Sequence, residues 1–137
     1  MCWVAPMGNI GERLPPAHHA ETAGMGIFPT GDQGHVVLGI FTEDHFWSLL
    51  CRHIGLDQFA ELAFAERGQR AAELNGWITQ RFATHSRDAL VAELDPLGVP
   101  IAPVLTREEA MRHPHFQARG VIARSDAAAG RKFWPAA

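Results

Sequence analysis

Glu43 and Asp44 are the first residues of this chain whose type and spacing could do chemistry. A carboxylate held against a substrate carbon can move a proton. Two acids at a helix start also complement the helix dipole, and the residues alone leave both readings open. Ser86, Arg87 and Asp88 bring a hydroxyl and a carboxylate together. No nucleophile elbow surrounds that serine, which is placed to cap a helix instead. Cys51 lies between Leu50 and Arg52 on an amphipathic stretch, where a thiol is packed rather than ionised, and Cys2 lies near the chain start. His113-Pro114-His115 and His18-His19 are the candidate metal pairs. Proline splays the first pair and no carboxylate or thiolate set completes either, so no metal is expected. Gly31, Gly34 and Gly39 have no helix start behind them at phosphate-loop spacing and read as hairpin glycines. Arg119, next to Gly120, is either a cation beside a helix stop or a contact for a phosphate or a neighbouring domain.

The elements that must position these groups follow from periodicity and turn chemistry. Residues 1–25 carry Pro6, Pro15 and Pro16 without periodicity and read as an extended arm or linker. The apolar runs Gly26–Pro29 and His35–Phe41 flank the turn-forming Thr30-Gly31-Asp32-Gln33-Gly34, which predicts a hairpin. Thr42 is placed to cap the next helix, in which Phe46, Leu49, Leu50 and Ile54 recur at helical spacing before Gly55. Phe59, Leu62 and Phe64 indicate a short turn. A longer helix is expected from about Glu66, with Leu74, Trp77, Ile78, Arg81 and Phe82 on one side.

Ser86 opens a further helix whose buried stripe is Leu90, Val91, Leu94 and Leu97, and Gly98 stops it. Val99–Leu105 reads as a strand that its prolines confine to a sheet edge. Thr106 and Glu109 match a capping box for a helix running to about His113, where Pro114 breaks it. Val121–Ala123 is a short strand and Asp126–Gly130 a turn by composition. Strands at both ends with helices between them predict an α+β fold, a small antiparallel sheet covered by helices.

Composition bounds the function. The 137 residues fit one domain, and 47% hydrophobic with 20% charged residues is ordinary for a globular chain. A net charge of -3 supplies no basic surplus for nucleic acid. No apolar run approaches the roughly 18 residues of a membrane helix, and the first ten residues lack the basic start of a signal peptide. Two cysteines make no disulfide framework, so reduced thiols in the cytoplasm are expected.

Five segments, in order, resemble one family. They are Gly26-Ile27-Phe28-Pro29-Thr30-Gly31-Asp32 with Gly34 to Gly39, then Phe46 to Cys51 with Gly55-Leu56. Phe82-Ala83-Thr84-His85-Ser86-Arg87-Asp88 follows, then Gly98-Val99-Pro100-Ile101-Ala102-Pro103-Val104, and last Pro114 to Gly120. Each motif is weak alone, but chance matches rarely keep both order and spacing. Together they are similar to the family III coenzyme A transferases, which include formyl-CoA transferase, carnitine CoA-transferase and α-methylacyl-CoA racemase. The stretch Gly98–Gly120 is then the spine of the small domain rather than a catalytic crossing.

The resemblance implies that residues 26–124 are the small domain of a two-domain enzyme and 125–137 a tail leading toward a large domain. That Rossmann-like partner, in cis or as a split product, would bind CoA and carry the aspartate that forms an acyl-enzyme anhydride. No counterpart of that aspartate is found in these residues. A coenzyme A thioester would be the substrate of the full protein, with no cofactor held by this chain alone, and a homodimer is implied. Loops before Gly26 and around Gly39 to Thr42 would shape the acyl pocket. Glu43 would take the place of the racemase branch's active-site glutamate if one residue is inserted after Gly39, and Arg119 could touch a CoA phosphate. The alternative is a free-standing binding or oligomerisation module that keeps the fold without the chemistry. A single-domain thioester hydrolase lacks an assembled nucleophile and base.

Overall fold

Strand β3 (His35–Gly39) pairs antiparallel with β2 (Met25–Pro29), Met25 facing Gly39 and Pro29 facing His35. The hairpin therefore closes over Thr30–Gly34, the predicted turn. Here Gln33 takes φ +63°, the left-handed conformation that the turn requires. The computed structural model describes His18, His19 and residues 22–120. It divides into two units, residues 1–104 and 105–137.

In the first unit, β1 (His18–His19) pairs with β2, and β4 (Ile101–Pro103) pairs antiparallel with β3, giving the order β1-β2-β3-β4. The prolines on either side of Ile101 and Ala102 leave β4 at the edge, as predicted. Val36, Leu38 and Ile40 alternate inward and are fully buried or nearly so. Helices α1 (Asp44–His53), α2 (Phe64–Gln69), α3 (Ala71–Phe82) and α4 (Arg87–Leu94) follow β3. Trp47 and Leu50 of α1, Leu74, Ile78 and Phe82 of α3, and Leu90 and Leu94 of α4 join the strand residues in one core. Phe82 meets Phe28 of β2 edge-on at 5.8 Å between ring centres. The α+β class with a small antiparallel sheet is the architecture observed.

Several local expectations shift. β3 stops at Gly39 instead of Phe41, because the Phe41 N–H turns to the Glu43 carboxylate. The N-cap position of α1 is Glu43, one residue after Thr42, and its side chain makes no cap hydrogen bond to the helix. The long helix from Glu66 is two helices parted at Arg70, whose φ of -113° and ψ of 17° leave the helical region. Trp77 is 39% exposed, one step off the Leu74–Ile78–Phe82 stripe. Leu97 is 44% exposed because α4 ends at Leu94 and a 3₁₀ turn through Pro96 changes the period. Ala23 and Gly24, inside the stretch read as an arm, are buried, and the Gly24 N–H donates to Asn75 Oδ1 at 3.0 Å.

In the second unit, α5 (Arg107–Arg112) opens on the predicted capping box, with Thr106 and Glu109 each accepting the other's backbone N–H. Pro114 ends that helix and serves as the first residue of α6 (Pro114–Ala118). The predicted strand Val121–Ala123 and turn Asp126–Gly130 lie outside the described residues.

Candidate functional site

The β3–α1 turn gathers three of the four candidate residues, and its geometry is set by backbone hydrogen bonds. Gly39 N–H donates to Pro100 O at 2.9 Å, and Ile40 N–H donates to Gly24 O at 3.2 Å. The chain then leaves the sheet. Phe41, Thr42 and Glu43 are all exposed. Glu43 Oε2 accepts the Phe41 N–H at 3.0 Å, while its backbone carbonyl accepts the Trp47 N–H at 3.3 Å. The Phe41 hydrogen bond, ahead of those from the neighbouring backbone, holds the Glu43 carboxyl below its ordinary range. An added Cβ at Gly39 would meet Pro100 at 3.8 Å, ordinary van der Waals distance, so packing does not demand glycine there. Arg119 lies in the second unit, exposed, at the end of α6, with its N–H donating to His115 O at 3.1 Å.

Beside Glu43 the structure reveals a group that the sequence reading missed. Arg67 of α2 is fully buried, and its Nη2 donates to Asp44 Oδ1 at 2.7 Å. Its guanidinium lies 5.2 Å from the Trp47 ring centre and 5.7 Å from that of Phe64. Nε and Nη1 have no hydrogen-bond partner among the described residues. Burying a cation costs several kcal/mol unless it is paired, and here one carboxylate and two aromatic faces offset that cost. Nothing in the run Phe64-Ala65-Glu66-Arg67-Gly68-Gln69-Arg70 separates this arginine from its solvated neighbours. The one signal is its i,i+3 spacing from Phe64.

A groove of about 360 Å³ runs along the polar face of α1, lined by Asp44, His45, Ser48, Arg52, Ala60, Glu61 and Ala63. Arg52 Nη2 bridges to Glu61 Oε1 across it at 2.6 Å. Its walls offer hydrogen bonds but no activated nucleophile. Cys51 of α1 is buried in the core, and burial pushes its thiol up to about 12. Ser86 Oγ accepts the Ala89 N–H as the cap of α4. Among the described residues no group of three or more His, Cys, Asp and Glu could hold a metal ion. No described helix is long and apolar enough to cross a membrane.

Two of the motifs that the sequence singled out meet in space. Asp32 of the hairpin turn accepts the Thr30 hydroxyl and the Gly34 N–H through Oδ1, and the Arg87 N–H at the start of α4 through Oδ2. Gly31 N–H donates to His85 O at 2.8 Å. The Thr30–Gly34 and Phe82–Asp88 segments thus form one joint. The Thr30 hydroxyl contributes most to holding the Asp32 carboxyl below its ordinary range, with the Arg87 and Gly34 amides adding to it. Because the folded pKa lies below the unfolded one, this carboxylate stabilises the fold above the unfolded value. That contribution is lost as pH falls through the folded value. Urea midpoints are therefore expected to drop below about pH 4, with a shallower drop in Asp32→Asn. Parallel curves for the two proteins would remove Asp32 from the account.

Residues 1–136 match the model of CoA-transferase family III. The chain is 30% identical over 119 residues to the succinyl-CoA–D-citramalate CoA-transferase of Chloroflexus aurantiacus, covering 84% of this chain and 27% of that protein. It superposes on a CAIB/BAIF family protein from Brucella suis with a TM-score of 0.63 at 27% identity, over 74% of this chain and 28% of that one. A hypothetical protein from Mycobacterium tuberculosis shares the fold with a TM-score of 0.63 at 24% identity, over 77% of this chain and 33% of that one. The chain spans about a quarter to a third of the length of these relatives.

Proposed function

The chain belongs to CoA-transferase family III, and from that premise we propose that residues 26–124 supply the small domain of an enzyme that moves CoA from an acyl thioester to a carboxylate acceptor. The observation that carries the transfer reading is the 30% identity to a protein named as a CoA-transferase, over 84% of this chain. In this reading a large domain binds the thioester and presents an aspartate, whose carboxylate attacks the thioester carbonyl, expels the CoA thiolate and forms an anhydride. The small domain closes over the acyl group and helps build a homodimer in the cytoplasm. An anhydride is lost to hydrolysis when water reaches it, so excluding water is the chemical service a closing domain provides. The exposed turn at Gly39, Thr42 and Glu43 is the edge of this chain that we assign to the acyl group, and Arg119 is assigned to a CoA phosphate or the large domain.

Racemisation is the competing reaction, and Glu43 separates the two. A base acting at an α-carbon works best with a pKa near the operating pH. The Phe41 amide holds the Glu43 carboxyl in the other direction. With the chain joined to a family III large domain, we expect CoA transfer from an acyl-CoA to a carboxylate, with Glu43→Gln changing its rate less than about threefold. Deuterium wash-in at the acyl α-carbon that falls about 100-fold in Glu43→Gln would replace the transfer reading by the racemase one.

A further inference from the structure

Helix α2 contributes little to the core, since Arg67 is its one buried residue. Its two inward side chains, Phe64 and Arg67, stand at i,i+3 on one face, and both touch the β3–α1 turn. The Phe64 ring meets the Phe41 ring edge-on at 5.1 Å between centres. Arg67 holds Asp44 through the 2.7 Å charge-assisted bond. Glu43 lies between these two anchored residues, with its carboxylate on the Phe41 N–H.

A residue serving only to fill the space under Trp47 would be apolar, because an uncharged side chain of similar volume packs there without desolvating a cation. What the guanidinium adds is a directed bond to the first residue of α1. We propose that Phe64 and Arg67 act as a clamp that fixes the turn at Phe41–Asp44 in one conformation, with Arg67 as a positioning residue for Glu43 through Asp44. This rests on the reading of that turn as the acyl-facing edge, but the clamp itself is a property of the isolated chain.

Amide hydrogen exchange on the 137-residue chain tests it without any assay of activity. Arg67→Met keeps the apolar stem and removes the charge. It is expected to speed exchange at the Phe41 and Trp47 amides about tenfold, while the β2–β3 amides keep wild-type rates. Arg67→Lys, which restores a cation but not the planar fork, should recover part of the protection. Should Arg67→Met not fold, Asp44→Asn, altered at an exposed carboxylate, must show the same local acceleration. Unchanged exchange at Phe41 and Trp47 in a folded variant would overturn the clamp. So would an acceleration spread evenly over the sheet, which marks a general loss of stability. If the clamp holds while substitutions at Gly39 and Thr42 leave the acyl-CoA reaction of the joined enzyme unchanged, it is the reading of the turn as the acyl-facing edge that fails.

Discussion

Replacing Gly31 by alanine is expected to destabilise the first unit by about 2–3 kcal/mol, several times the usual effect of a change at an exposed position. Gly31 is exposed, so burial gives no warning. A Cβ built there falls 2.4 Å from the Ala83 carbonyl oxygen and 3.2 Å from both the Ala83 carbonyl carbon and His85 O. These are backbone atoms and cannot rotate away. Relief requires the hairpin turn to move off the α3–α4 connection. That movement breaks the Gly31–His85 bond and pulls Asp32 from the Arg87 amide. Urea unfolding of Gly31→Ala beside wild type measures the loss. A difference under about 0.5 kcal/mol, the ordinary range for surface changes, would show that the joint yields easily.

The second large effect is functional. Incubated with an acyl-CoA and a carboxylate acceptor, the 137-residue chain is expected to move CoA no faster than the uncatalysed reaction. Covalent transfer needs a nucleophile to receive the acyl group. The Cys51 thiol is buried and pushed up to about 12, leaving almost no thiolate at neutral pH. The Ser86 hydroxyl is committed to the cap of α4. Glu43 is ionised but lies open to water on an exposed turn, without the enclosed surroundings that would favour an anhydride over hydrolysis. Chromatography of the CoA esters over time reads the result directly. Transfer by this chain alone would mean that it holds a nucleophile our account does not recognise.

How much of this was legible in the sequence depends on how local the cause is. The Thr30–Gly34 turn, the Ser86 and Thr106 caps, the Gly98 stop and the edge position of the Ile101–Pro103 strand are local, because each follows from the chemistry of a few neighbouring residues. The end of β3 and the start of α1 each moved by one or two positions because the Glu43 carboxylate captures the Phe41 amide, a competition that propensity does not resolve. Leu97 turned outward because Pro96 switches the last turn to 3₁₀ geometry. The long-range joints were not visible. Asp32 reads as a turn residue until Arg87, 55 positions later, donates to it. Arg67 is an arginine in a polar helix until Trp47, Phe64 and Asp44 enclose it. Of the candidate site, Gly39, Thr42 and Glu43 could be grouped from their order in the chain, and the clamp behind them could not.

The most direct test of the central claim is CoA transfer measured with this chain alone, with a family III large domain carrying its catalytic aspartate alone, and with the two co-expressed. Neither half is expected to be active by itself, whereas the co-purified pair should transfer CoA and lose that activity when the aspartate is replaced by alanine. Transfer by the 137-residue chain alone, or a stable pair that transfers nothing, would contradict that claim.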